Sequence, residues 1–510
     1  MPAEFDASAA AAAVRAFLGS QPAVELWEAG ARVARLEAET SGYSITLGAQ
    51  LVCHFWSPHA NLVRRIVGWK AQSGNRLRLE CLRMGQRQPQ ALVLCAAGDP
   101  SSGARAEFRQ ALLAAIGRDW PGWQLVPMPR TPQAASPWLR LVLRKQHALV
   151  VCVAIDEGTA AGILAQALVL AEQARQRWPR GHVAELRLVL PPGAERLVAQ
   201  QRAGLAPPGD APAIECFWLD RSAGQLNRAE WGGENKGNLE ARLRRAPAPW
   251  PAPAAEAEDE LLREIRERCP QATVERGLDG RRLYRVYGLE IARETSPAEG
   301  LIARHSFGYG REQTPLLEST RPQFLALLAE LAAQRVAGGR RGDWLFRIQP
   351  EAWMEHLIHS DPTVLAATID RRWVYRQVPA CRPQERDVMD LLLVDHDGRL
   401  TVVELKADED LGFPLQALDY WLLVRRHQLA GDFERLGYFP GVELSALPPR
   451  LWMVAPALRW HPHTETVTAW LGPEIEWTRI GINEDWRHGI QIVYRLTGAG
   501  RGAAVAARPA

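Results

Sequence analysis

Short runs in which apolar and polar positions alternate fill residues 25–95 (SITL, LVCHFW, VRRIVGW, RLRLECL, ALVLC), with Gly, Ser and Pro between them. A period of two predicts half-buried strands, here a small antiparallel sheet or barrel behind a short Ala-rich helix. The loop GDPSSG at 98–103 closes this β-rich stretch, 1–97. From 104 to 243 the period changes: an amphipathic helix (EFRQALLAAIG), two apolar strands (LRLVLR, ALVVCVAID), a helix (GILAQALVLAEQARQRW) and a strand (ELRLVLP) follow in α/β order. The Pro/Ala run RRAPAPWPAPAAEAE, 244–258, is a linker. Residues 259–340 give a helix, the basic β-rich stretches RRLYRVYGLEIAR and IARHSFGYGR, and a second helix, RPQFLALLAELAAQ. A further α/β unit spans 341–496, and the tail TGAGRGAAVAARPA, 497–510, is expected to be disordered. The fold class is therefore multi-domain α/β.

Composition narrows this picture only a little. A chain of 510 residues, 47% hydrophobic and 23% charged, is that of an ordinary multi-domain globular protein. A net charge of +3 permits a nucleic-acid partner but confines it to a local patch. The seven cysteines lie scattered without a CxxC pair, as reduced thiols do rather than disulfides or a zinc site. The N-terminus carries Glu4 and Asp6 where a signal peptide needs positive charge, and no apolar run is long enough to span a bilayer, so the expectation is a cytoplasmic protein without a membrane partner. Among 61 basic residues only Lys70, Lys145, Lys236 and Lys406 are lysines, which makes each an informative choice.

Lys406 stands in DVMDLLLVDHDGRLTVVELKAD, two strand-like runs flanking the turn sequence Asp-His-Asp-Gly. A hairpin about 395–398 sets Asp390 nearly opposite Glu404, and alternation puts Glu404 and Lys406 on one face. Two carboxylates that close repel unless something positive lies between them, and a divalent cation suits that place. Mg²⁺ accepts one or two carboxylates, with water and phosphate oxygens completing its shell, so phosphodiester hydrolysis is the natural chemistry, Lys406 orienting water or offsetting transition-state charge. Asp395 and Asp397 read as turn formers. Asp387 is a rival to Asp390 but falls on the opposite strand face. His461-Pro-His463 has no companion ligand at metal spacing and reads as a loop feature.

Asp390, thirteen residues, then Glu404-Leu405-Lys406 resembles the signature of the PD-(D/E)XK superfamily, the restriction-endonuclease-like fold, with Val388 and Met389 in place of its proline. The helix PEAWMEHLIHSDPTVL resembles the one that supplies an acidic residue to that site; Glu351 and Glu355 are the candidates, and similarity to NucS-type and other RecB-like nucleases favours Glu351. Gln416 and Tyr420 match the QxxxY element of RecB-like nucleases. The resemblance spans about 345–425. It implies a mixed sheet flanked by helices and hydrolysis of DNA dependent on Mg²⁺ or Mn²⁺, in repair, restriction or phage defence. Asp390 and Glu404 would hold metal. Arg281, Arg282, Arg285, Arg304 and Arg311 are candidate DNA-holding residues. Single-stranded, duplex or branched DNA, RNA as substrate, and a homodimer all stay open, as does a non-catalytic protein that uses the fold only for binding.

Finally, LVLRKQHALVVCVAIDEGTAAGILAQAL from Leu141 aligns without a gap on LLLVDHDGRLTVVELKADEDLGFPLQAL from Leu391, an offset of 250. Arg140, Ala154 and Asp156 then fall where Asp390, Glu404 and Lys406 sit. Two readings stay open: 104–243 is a degenerate nuclease-like copy unable to hold metal, or the two stretches are unrelated βα units that share QAL by chance.

Overall fold

A computed structural model describes residues 6–499 and 506–509, apart from 22, 29–30, 38–40, 48–50, 58–59, 74–75, 83–89, 97–100, 129–137, 157–159, 161, 207–211, 230–242, 244–245, 247–258, 278–279, 296–303, 310–312 and 382–385. The linker at 244–258, Ala246 excepted, and Arg311 therefore lie outside the described residues. Two compact units alternate along the chain: Met1–Pro100 with Pro247–His356, and Ser101–Ala246 with Leu357–Ala510. No described helix is long and apolar enough to cross a membrane. No disulfide joins the described cysteines.

The first unit begins with a helix, Ala7–Gly19, whose first-turn amides of Ser8 and Ala9 donate to the Asp6 carboxylate at 2.9 Å. Seven antiparallel strands between Ala23 and Ala96 follow, their inward residues, among them Leu26, Phe55, Leu79 and Leu92, forming a core with that helix. Counted along the chain, these strands lie in the order second, first, seventh, sixth, fifth, fourth, third across one sheet. The later segment repeats the plan more briefly: a helix, Glu260–Arg266, capped by Asp259, then five antiparallel strands in sequence order and the helix Arg321–Gln334. Arg335 is fully buried and donates to the carbonyls of Val286, Tyr287, Leu345 and Ile348 at 2.7–3.0 Å. A buried guanidinium is tolerated when its fork of donors is satisfied, and here it ties helix ends to a strand turn.

The second unit contains two sheets. The first is built from α1 (Ser101–Asp119), β1 (Gln124–Val126), β2 (Leu139–Lys145), β3 (Ala148–Ala154), α2 (Ile163–Arg177), β4 (His182–Val189), α3 (Glu195–Ala203), β5 (Ala213–Asp220) and β6 (Gln225–Arg228). The second comprises β7 (Ile369–Cys381), β8 (Arg386–Asp395), β9 (Leu400–Leu405), α4 (Phe413–Leu429), β10 (Arg450–Pro456), α5 (Thr464–Thr468), β11 (Glu476–Ile482), β12 (Ile492–Ala499) and β13 (Ala506–Pro509). The strands β1 to β6 are neighbours in that order, and so are β7 to β13. The tail, expected to be disordered from 497, instead continues β12 and returns as β13, because the open edge of β12 offers backbone partners for Ala506–Pro509. The middle strands are covered on both faces, which is why β3 reads as an unbroken apolar run and every residue of β9, Thr401 and Glu404 included, is buried.

The β8–β9 turn depends on one glycine. Gly398 has φ +75°, and a Cβ there would stand 2.0 Å from the Glu443 carbonyl oxygen. Asp395 fixes the same turn by accepting from the amides of Asp397 at 3.0 Å and Arg399 at 2.8 Å. Gly398→Ala is expected to cost about 1–3 kcal/mol of stability in the second unit, since it adds both left-handed strain and a backbone clash. Chemical denaturation followed by circular dichroism checks this; an unchanged midpoint would mean the turn relaxes freely.

Candidate active site

β8 and β9 place three charged groups at one end of the second sheet. Leu391 pairs with Val403, so the next step of the antiparallel register sets Asp390 across from Glu404. The backbone amide of Leu405 donates to Asp390 Oδ2 at 2.8 Å, fastening the carboxylate across the strand pair. Lys406 Nζ lies 3.5 Å from Glu404 Oε1, and the Lys406 amide donates to the Val454 carbonyl at 3.0 Å, holding the chain against β10. The ammonium also lies 6.0 Å from the centroid of the Phe413 ring, at the start of α4. All three residues predicted at the centre of the site are therefore brought together.

Glu404 is 1% exposed, and its Oε2 has no hydrogen-bond partner among the described residues. Burial pushes its carboxyl well above the ordinary carboxylate range; the nearby Asp390 raises it further, against the opposing pull of Lys406. Among the described residues no group of three or more His, Cys, Asp and Glu side chains could serve as a metal cluster. What stands here is a pair of carboxylates, one with an unsatisfied buried oxygen. Hard oxygen donors in that number fit Mg²⁺ or Mn²⁺, which fill the remaining positions with water and substrate oxygens.

The other predicted residues take varied places. On α4, Gln416 Nε2 lies 3.4 Å from Tyr420 Oη, Gln416 half-buried and Tyr420 buried, as a four-residue spacing on one helical face requires. Glu351 and Glu355 lie on the helix Pro350–Ser360, Glu351 half-buried and Glu355 3% exposed, within the part assigned to the first unit. Asp387 is on β8, its side chain outside the described ones. His461 and His463 do form a loop, the His463 amide donating to His461 Nδ1 at 3.1 Å.

Two of the arginines offered for DNA are committed inside the first unit. Arg282 pairs with Asp259 at 2.9 Å and Glu294 at 3.4 Å. Arg285 is buried, pairs with Glu275, and donates to the Gly288 carbonyl at 2.9 Å. Their partners are distant or cross-strand acids that a run of basic residues does not reveal. Arg281 is half-buried and Arg304 exposed.

Sequence reasoning missed Arg479. Its guanidinium stacks 4.5 Å over the Trp460 ring, which in turn stacks on Phe413 at 5.5 Å. Met453 links Glu404 to Arg479 in the parallel register of β9, β10 and β11, so both project from the same face. Only the register across three strands could have found it.

No family model matches the sequence, and neither does any curated protein. Among solved structures, EndoMS in its apo form matches 39% of this chain and 91% of its own, at 14% identity and a TM-score of 0.15. A repair endonuclease from Pyrococcus abyssi matches 34% and 80%, at 13% identity and a TM-score of 0.15. EndoMS in complex with double-stranded DNA matches 40% and 90%, at 14% identity and a TM-score of 0.17. These neighbours are nucleases, and a likeness at this level leaves the site to be read from its own geometry.

The raised carboxyl has a consequence for stability without metal. A free Glu ionises near pH 4.3, so below that value folded and unfolded chains are both protonated at this position and the buried neutral acid carries no penalty. As pH rises, the unfolded chain ionises while folded Glu404 resists, and stability is lost until the folded pKa is passed. Glu404→Gln removes that loss. In metal-free buffer the variant should melt above wild type at pH 8, by on the order of 2 °C for each kcal/mol recovered, and level with it near pH 4. Equal melting at pH 8 would contradict the assigned burial of the charge.

Proposed function

We propose that the second unit hydrolyses DNA phosphodiester bonds with a divalent cation, Mg²⁺ or Mn²⁺, held by Asp390 and Glu404. The observation that carries this reading is the buried Glu404 carboxyl, with Oε2 unsatisfied, set beside Asp390 and Lys406. A purely structural role would leave such a group among hydrogen-bond donors or replace it by an apolar residue. When bound, the cation supplies a lowered pKa for coordinated water and withdraws charge from the phosphodiester.

The chain's own residues do the rest. The Leu405 amide keeps Asp390 aimed across the hairpin. Lys406, a compact ammonium with three donors, directs a water toward phosphorus and offsets charge as it builds on the non-bridging oxygens. Phe413, at the start of α4, sets its ring 6.0 Å from the Lys406 ammonium. Repair, restriction and phage defence each need such an activity.

Glu404→Ala and Lys406→Ala should each lower Mg²⁺-dependent DNA cleavage by about 10²-fold or more, while circular dichroism keeps the wild-type fold. Added Mn²⁺ should raise the melting temperature of wild type and not of Glu404→Ala, because only the former binds it. Binding of DNA without cleavage at any divalent ion would favour the non-catalytic reading instead.

A further inference from the structure

The six strands of the first sheet of the second unit match the first six of the second. In both, the first two pairings are antiparallel (β1–β2–β3 and β7–β8–β9), the next two parallel (β3–β4–β5 and β9–β10–β11), and the following one antiparallel (β5–β6 and β11–β12). A helix follows the third strand each time. The faces agree as well: Val142, Val151 and Leu186 of the first sheet and Leu392, Val402 and Leu451 of the second all turn into one shared core.

Those faces correct the gapless sequence alignment. Val142 pairs with Val151, whereas Leu392 pairs with Val402, so the offset is 250 on the first strand of the hairpin and 251 on the second. The Asp395–Arg399 turn is longer by one residue than its counterpart around Gln146 and His147, and a slip of one changes the face of every side chain beyond it. Val153 and Ile155, not Ala154 and Asp156, therefore occupy the places of Glu404 and Lys406, with Arg140 opposite. Val153 is 0% and Ile155 4% exposed. Asp156 pairs with Arg221.

The contacts between the halves are reciprocal. Leu205, just past α3, bridges Leu471, just past α5. Around that bridge the Gly472 amide donates to the Gly204 carbonyl at 2.9 Å, and the Ala206 amide to the Trp470 carbonyl at 3.0 Å, so equivalent atoms exchange roles. Likewise α2 packs on α5 and α4 on α3, the latter through Gln201 Nε2 and Asp419 Oδ2 at 2.8 Å. At the helix starts, a Cβ on Gly412 would lie 3.6 Å from the Gly162 Cα. A two-fold interface between identical subunits has this i-to-j, j-to-i form.

We infer that the second unit is a fused pseudo-dimer with one competent and one silent centre, and that it nicks duplex DNA, cutting one strand for each duplex it engages. The inference rests on the nuclease reading above. The two backbones of a duplex are themselves related by two-fold axes, so a pseudo-symmetric pair of folds presents one half to each strand. Only the Asp390–Glu404–Lys406 half can hydrolyse: a water oxygen forms a new bond to phosphorus, one P–O bond to a sugar oxygen breaks, and the departing oxygen takes up the proton the water gives up. Val153 and Ile155 offer the other strand no acid, no base and no metal ligand.

Supercoiled plasmid, its nicked and linear forms, and a circular single strand distinguish the outcomes, assayed with wild-type full-length protein and Mg²⁺ at equimolar enzyme. The expected result is conversion of supercoiled to open circle, with linear product appearing only late and by accumulation of separate nicks, and with sedimentation showing a monomer under the same conditions. Linear product forming as fast as open circle, or a dimer carrying two competent centres, would overturn the inference and leave the nuclease reading intact. So would cleavage of the single-stranded circle without action on the plasmid. No cleavage of any substrate would overturn both.

Discussion

Asp390 and Glu404 meet because a five-residue turn, closed by Asp395 and made possible by Gly398, brings β8 back along β9 in one register and no other. Strand side chains alternate, so that register determines whether the acids face each other or opposite sides of the sheet. The silent half demonstrates the dependence within the same chain. Its hairpin is shorter by one residue, and the positions that correspond in space carry valine and isoleucine. Everything chemical about the second unit follows from which side chains the turn delivers to the end of the strand pair next to α4.

Electrostatics then constrains what can be delivered there. A carboxyl as buried as Glu404 resists ionisation, and Asp390 adds to the resistance. Lys406 relieves part of it but leaves one oxygen without a donor among the described residues. Such an arrangement lowers stability as pH rises, and the cation proposed between the acids would reverse that loss. Arg335 illustrates the opposite solution in the first unit, where four of the five donors of a buried guanidinium are met by backbone carbonyls. The contrast separates a charge kept for architecture from one kept available.

How far the amino-acid sequence could be read depended on how local each feature is. Asp390, Glu404 and Lys406 were legible because a single turn relates them, and the Gln416–Tyr420 pair because one helix face does. The ion pairs of Arg282 and Arg285 were not legible, since their carboxylate partners Asp259 and Glu275 are contributed by other elements. Arg479 was invisible for a similar reason, its place near the site being set by a ladder through β10. The repeat at an offset of 250 was legible in outline, yet its detail was displaced by one position, because a gapless alignment has no means of knowing that two turns differ in length. The tail was misread because low complexity says nothing of an open strand edge waiting beside it.

The reciprocal pairing at Leu205 and Leu471 has a consequence for how such a molecule can change. A homodimer made from one coding sequence must carry any substitution at both ends of its axis, so losing one reactive centre means losing two. Joining the halves in a single polypeptide frees them from that symmetry while keeping the interface that binds them. One half can then drift toward valine and isoleucine and become a rigid brace, and selection on the reaction acts only on the other.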